Sequence, residues 1–358
     1  MNRTIAVIYS RDITEMTRKL LEAESNLLPS DYSASIILKP NLVTPSDPAD
    51  GAVTHTEIVE ETVHFLSSRG YRNITIAEGS WVGAQTESCF RRLGYYDIAK
   101  RFGIKLLDTK KDKFCKVSPC GIDMEVSETA LNADFLINMP VLKGHCQTHM
   151  THAMKNLKGL ISDKSKRDFY RLGLDRPIAA LNTVFKPGLI ISDSICGDLD
   201  FEEGGNPVRT DRMMAASDAV LLDAYASTLM GFSPDDIGYI REARKLGLLH
   251  DADWNIKELS KPTSTGVKPT GIAKRLSAYT EPIDACSACY AALIHALKRL
   301  DDDGVLYKLD KKKIAIGQGW REKSPELGCG ACCSKAIKTV TGCPVRADNI
   351  LTMLRSLL

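Results

Sequence analysis

The chain has 358 residues, 44% hydrophobic and 26% charged, with a formal net charge of +2. That is long enough for two or three domains and far from the composition of disorder, while so small a charge supplies no global field for nucleic acid or an acidic membrane. No stretch approaches the roughly 18 apolar residues of a membrane span.

The apolar run Ile5-Ala6-Val7-Ile8-Tyr9 is too short for a signal peptide and is followed by Arg11 and Asp12. A cytoplasmic protein is therefore expected, without a membrane span and without a nucleic-acid partner. Short β-branched or apolar runs ending in polar turns predict strands over Thr4–Tyr9, Ser35–Leu38, Ile74–Ala77, Ile104–Leu107, Phe135–Asn138 and Leu189–Ser192. Helical patterns lie between many of them. In Thr56–Ser68, Ile58, Val59, Val63 and Leu66 form an apolar stripe, with Thr54 and Thr56 as candidate caps. Alternating strand and helix predict the α/β class: a mainly parallel sheet flanked by helices.

In such sheets ligands sit beyond the carboxyl ends of the strands. Those positions carry Lys39-Pro40-Asn41, Glu78-Gly79-Ser80, Asn138-Met139-Pro140 followed by Lys143 and His145, and Asp193-Ser194. Turns are polar in any case, so only Lys39, Asn41, Glu78 and Lys143 are retained from this pattern. From Leu142 to Gly159 the chain carries three of its seven histidines. On a helix His145, His149, His152 and Asn156 would form one narrow stripe, able to bind a transition metal, to donate protons, or to bind an anion with Lys143, Lys155 and Lys158. A solvated helix face is the plain alternative. The loop Asp198–Pro207 concentrates carboxylates beside Gly204 and Gly205, and is read as a solvated acidic loop in preference to a divalent-cation site.

From Asn255 to Pro282 the pattern weakens into Lys, Ser, Thr, Pro and Gly. The expected organisation is an α/β domain with an anion cleft over 1–255, a linker or long loop over 256–282, and a smaller α/β iron-sulfur domain over 283–358. That last domain should contain a helix over Ser287–Leu300, a strand over Lys313–Gly317 and a closing helix from Ala347. Gly317-Gln318-Gly319 lacks the third glycine of a dinucleotide motif, Glu322 standing in its place. There is no P-loop and no Gly-x-Ser-x-Gly elbow.

Six of the eleven cysteines lie between Cys286 and Cys343, as Cys286-Ser-Ala-Cys289, Cys329-Gly-Ala-Cys332-Cys333 and Gly342-Cys343-Pro344. In a reducing cytosol such density points to metal rather than disulfides. A Cys-x-x-Cys pair at a helix start, glycines that let backbone approach sulfur, and proline after a cysteine favour an iron-sulfur cluster. A cubane can use Cys286, Cys289, one of the central group and Cys343. The rival is zinc held by two Cys-x-x-Cys pairs with 39 residues between them, which leaves Cys343 without a role.

The segments Lys39-Pro40-Asn41, Thr54-His55-Thr56-Glu57, Glu78-Gly79-Ser80, Asn138-Met139-Pro140 with Lys143, and Lys155-Asn156-Leu157-Lys158-Gly159 resemble domain-of-unknown-function family 362, often labelled iron-sulfur centre proteins. The resemblance runs over about residues 35 to 235, through Asp193-Ser194, Pro207, Ser217–Ala224 and Met230-Gly231-Phe232. It implies an α/β fold and a cluster, but no known reaction. The tail departs from the ferredoxin-type pattern of some members. It is similar instead to a Cys-x-x-Cys, Gly-x-Cys, Gly-Cys-Pro arrangement, Gly342-Cys343-Pro344 resembling the cluster segment of small subunits of NADH:quinone oxidoreductase and nickel-iron hydrogenases. That match implies Cys332 as the central ligand, with Cys329 and Cys333 as alternates.

The expectation is an oxygen-sensitive 4Fe-4S enzyme passing single electrons to an anionic small molecule. Lys39, Asn41, Lys143, Lys155, Asn156 and Lys158 would bind the substrate, and His145, His149 and Glu78 would act on it. A low-potential donor such as ferredoxin or flavodoxin would supply electrons, and a homodimer is compatible with the sequence. The alternatives are an electron-carrier or cluster-transfer protein serving a protein partner, and a non-redox enzyme using the cluster as Lewis acid or structural element.

Overall fold

The computed structural model describes residues 3–199, 202, 204, 207–249, 254–261, 272–310 and 312–358. Successive side chains of a strand face opposite ways, and here both faces are covered. In Thr4–Tyr9, Ile5 and Val7 enter one core while Ala6 and Ile8 enter the other; in Ile36–Pro40, Ile37 parts from Ile36 and Leu38 in the same way.

The resulting sheet has eight strands in the order Asn255–Glu258, Thr4–Tyr9, Pro207–Ala216, Leu189–Asp198, Phe135–Met139, Ile36–Pro40, Ile74–Glu78 and Lys105–Asp108. Only the two pairings made by Pro207–Ala216 are antiparallel. The class is therefore α/β, a mainly parallel sheet between helical layers. The predicted strands are all present, but Leu189–Asp198 runs to ten residues and turns back on Pro207–Ala216, which the apolar runs did not mark.

The helix Thr56–Ser68 buries the expected stripe, extended by Thr62 and Phe65. Its N-cap is His55, and neither threonine caps it. Thr54 Oγ1 instead donates to the Met139 carbonyl (2.8 Å) and accepts from Asn41 N–H (2.8 Å), while Thr56 Oγ1 donates to the Leu93 carbonyl.

The helix expected through the histidines is absent. Lys143–His145 and His149–Thr151 form an antiparallel hairpin, followed by one α-turn, Ala153–Asn156. The N–H groups of Gln147 and Thr148 both donate to His145 Nδ1 (3.1 Å each), and His149 has a left-handed φ of 64°. The chain thus turns on its own imidazole, and the i, i+4 stripe is dispersed.

A second, all-parallel sheet runs Thr280–Pro282, Ile314–Ile316, Leu327–Cys329, Lys338–Val340. It shares a separate core with Ser287–Asp302 and Ala347–Arg355, built from residues such as Leu293, Leu297, Ile314, Ile316, Ile350 and Leu354. The stretch expected as a linker has ordered ends: Asn255–Glu258 edges the large sheet, and Thr280–Pro282 edges the small one. Residues 262–271 between them lie outside the described residues, as do Asp200, Glu203, Gly205 and Asn206 of the acidic loop. Among the described residues no helix is long and apolar enough to cross a membrane.

Candidate functional site

Carboxyl ends of both sheets open on one cleft. The large sheet delivers Asn41, Glu78, Gly79 and Ser80; the small sheet delivers Cys286, Gln318, Cys329, Cys332 and Cys343. The empty space, counted out to the open mouth, is about 1060 Å³. The two sheets are joined around it: Gln147 Nε2 donates to the Ala285 carbonyl (3.0 Å), and a Cβ on Gly83 would lie 2.6 Å from Pro344 Cδ.

Cys286 is the N-cap of Ser287–Asp302 and Cys289 lies in that helix's first turn. Cys332 follows strand Leu327–Cys329, and Cys343 follows Lys338–Val340. Their loops are stitched by Gly330 N–H to the Val340 carbonyl (2.7 Å) and Ala331 N–H to the Gly342 carbonyl (2.8 Å). Gly330 has a φ of 90°, which an L side chain rarely adopts. All eleven cysteines are free thiols.

Burial raises the Cys286 thiol, and the charges of Cys332 and Cys343 add to this against Lys158 and Arg167. Burial likewise pushes Cys289 up to about 12, a hydrogen bond from the Val345 backbone opposing and Cys286, Cys343 and Cys332 adding. Cys286, Cys289, Cys332 and Cys343 thus lie within reach of one another's charge. Buried thiols such as Cys286 and Cys289 give up their protons readily only to a strong positive charge such as iron ions supply, so the chemistry of this donor set is compatible with an iron-sulfur cluster. Cys329 is deeper, at a strand end, and Cys333 turns away, its Sγ donating to the Ala315 carbonyl (3.4 Å). Among the described residues no three Cys, His, Asp or Glu side chains close on one point as the ligands of a single metal ion do.

The predicted anion ligands are gathered otherwise than expected. Lys39 is fully buried and pairs with Glu78 (2.9 Å), whose oxygens also accept from Leu42 N–H (2.9 Å) and Gly79 N–H (2.7 Å). Burial lowers the Lys39 pKa, against the Glu78 charge. Lys143 Nζ donates to the carbonyls of Ala52 (2.5 Å) and Glu202 (2.9 Å) and to Asn41 Oδ1 (3.3 Å). Neither lysine lines the cleft. Lys155 lines it but is paired with the Glu202 carboxylate. Asn41 Nδ2 donates to Asn156 Oδ1 (2.9 Å), and Asn156 Nδ2 to Asn138 Oδ1 (2.8 Å). Strand register sets Lys39 beside Asn138, so these groups meet inside the protein, around Glu78 and Glu202, rather than around an outside anion. Glu202 itself is buried, not solvated as expected of the acidic loop. Burial alone would raise its pKa, but Lys155, His145 and Lys143 hold it well below the usual carboxylate range.

The histidines are also placed away from the cleft wall. His145 Nδ1 accepts two backbone N–H groups, so Nε2 carries the proton and faces Glu202 at 3.1 Å. Burial, then the charge of Lys155, lower its pKa to about 4. His149 is exposed against the Phe232 ring, and fully buried His152 bridges Asp223 (2.8 Å) and Ser192 (2.6 Å). No stripe of three imidazoles remains to bind a metal.

His145 has a pH consequence. Below its ordinary value of 6.5 the unfolded chain takes up a proton that the folded chain refuses until about 4. Stability is then present in full above pH 6.5 and is lost as pH falls toward 4, by about 3 kcal/mol for this group. Urea melts of the wild type across that window should show the loss, and His145→Gln should remove its share of the slope. His295, also lowered to about 4 by burial, contributes in the same direction.

The sequence did not single out several cleft residues. Lys166, Arg167 and Tyr170 come from helix Asp163–Arg171, with Trp81 and Arg321 from loops. Lys166 Nζ donates to the carbonyls of Gly79 (2.9 Å) and Ser80 (3.0 Å). The available signal was weak: Lys166 shares the buried face of its helix with Phe169, whereas a strongly charged helix reads as solvated.

Residues 36–228 match the model of the family described as Domain of unknown function (DUF362). The chain is 27% identical over 229 residues to the thylakoid-associated protein sll1697 of Synechocystis sp., covering 60% of this chain and 68% of that one. Two solved structures are similar at 13% identity. The lactate racemase apoprotein of Thermoanaerobacterium thermosaccharolyticum has a TM-score of 0.42 over 63% of this chain and 57% of its own. A Thermotoga maritima protein has a TM-score of 0.37 over 55% and 52%. The chain thus spans little more than half the length of either solved protein.

Proposed function

This chain belongs to the DUF362 family, and from that premise we propose that it is a redox enzyme whose 4Fe-4S cluster passes single electrons to an anionic small molecule. Cys286, Cys289, Cys332 and Cys343 would hold the cluster. The observation that carries this reading is that these four cysteines and the cations Lys155, Lys158, Lys166 and Arg167 line the same cleft.

When bound, such a cluster supplies electrons one at a time at a potential set by nearby charge and hydrogen bonds. Arg321 lies within electrostatic reach of Cys332, so its charge would help set the potential of a cluster held there. Lys158 and Arg167 lie within electrostatic reach of Cys286 and attract an anion to that side of the cleft. A donor such as ferredoxin or flavodoxin would approach on the side of exposed Cys343. A cleft with walls on both sides supports a small-molecule substrate over a protein partner, and a reducing cytoplasm suits an oxygen-sensitive cluster.

Anaerobically purified protein should be brown and contain about four irons and four sulfides per chain. Its broad visible absorption should bleach with dithionite and with air. Stoichiometric zinc in place of iron would overturn the reading.

A further inference from the structure

We propose that the anion taken by this cleft is a carboxylate on an apolar, preferably aromatic, body, its acid group held by Lys158 and Arg167. The inference rests on the reading above and narrows it.

The cations on the cleft wall differ in what already neutralises them. Lys155 is paired with Glu202. Lys166 meets Asp163 (3.3 Å) and two carbonyls. Arg321 lies within electrostatic reach of the Cys332 sulfur. Lys158 instead donates to the Tyr170 hydroxyl (3.3 Å) and sits 4.5 Å from that ring's centroid, while Arg167 Nη1 makes one long contact to the Asp163 carbonyl (3.4 Å). Among the described residues neither has a carboxylate within ion-pair distance, and both are partly withdrawn from water. Burial accordingly lowers Lys158 to about 8, against Glu202 and Cys286. Both cations act on Cys286, so they lie to the same side of the cleft.

The rest of the wall decides the class of anion. Val43, Trp81, Val82, Tyr170, Ala288 and Pro344 present mostly hydrocarbon. A sugar phosphate would set hydroxyls against that hydrocarbon, which is unfavourable. A carboxylate needs only a small acid group satisfied, and a guanidinium fork matches its two oxygens. Its apolar remainder would cover the hydrocarbon, with Trp81 and Tyr170 suited to the face or edge of a ring.

Benzoate, benzyl alcohol and inorganic phosphate should be titrated into the full-length chain under anaerobic conditions, with binding read by tryptophan fluorescence and thermal shift. Benzoate should bind at least about tenfold more tightly than the other two, and Lys158→Met and Arg167→Met should each weaken it about tenfold or more. Among the described residues Arg167 makes only one long side-chain contact, so its variant is decisive should Lys158→Met fail to fold. Phosphate or benzyl alcohol binding as well as benzoate, or Arg167→Met binding benzoate unchanged, would overturn the assignment. Iron is assayed in the same samples: benzoate binding without iron leaves this site standing while the redox reading falls, and iron without benzoate binding does the reverse.

Discussion

Replacing Cys286, Cys289, Cys332 or Cys343 by Ala is expected to take iron from about four atoms per chain to essentially none. The four thiols come from four different positions: the helix N-cap, its first turn, the loop after Leu327–Cys329, and the loop after Lys338–Val340. The nearby thiols are poor substitutes. Cys333 does not line the cleft and points its Sγ at the Ala315 carbonyl, and Cys329 is fully buried at a strand end. Cys329→Ala and Cys333→Ala should therefore keep iron, at some cost in stability from the small cavities they leave. Iron and sulfide assays on all six variants, prepared anaerobically, make the comparison. Full iron in Cys332→Ala with loss in Cys329→Ala would move the central ligand to Cys329.

Lys39→Met should destabilise the protein by about 3–5 kcal/mol, because it leaves the Glu78 carboxylate buried without its cation. The Leu42 and Gly79 N–H groups that Glu78 accepts cannot replace a full charge. Backbone closes on one side of the pair: a Cβ on Gly159 would lie 1.9 Å from Glu78 Oε1 and 2.5 Å from Lys39 Cε. The double variant Lys39→Met with Glu78→Gln should recover part of the loss by removing the orphaned charge. Urea denaturation measures all three. A loss below about 1 kcal/mol in Lys39→Met, accompanied by weaker anion binding, would return Lys39 to the substrate role that its strand-end position suggested.

What the sequence determined by itself was whatever depends on neighbours a few residues away. Apolar β-branched runs and a helical pattern marked six of the large sheet's eight strands and Thr56–Ser68, and the crowding of cysteines marked the loops at the carboxyl edge of the small sheet. Strand-end polarity marked Lys39, Asn41 and Glu78, which the structure sets side by side, since the carboxyl ends of parallel strands share an edge. Tertiary structure alone decided which charges meet. Lys39 and Glu78 are 39 residues apart, and Lys155 and Glu202 are 47 apart; strand register and the fold of the acidic loop bring them together. Each pairing gives a residue expected to act on substrate an oppositely charged partner within the protein. The histidine stripe failed because His145 accepts its own turn's N–H groups, a local contact that competes with helix and leaves no trace in spacing. Lys158 and Arg167 stand out only once the partners of every other cleft cation are known, because an unneutralised charge is a property of its surroundings and not of its residue type.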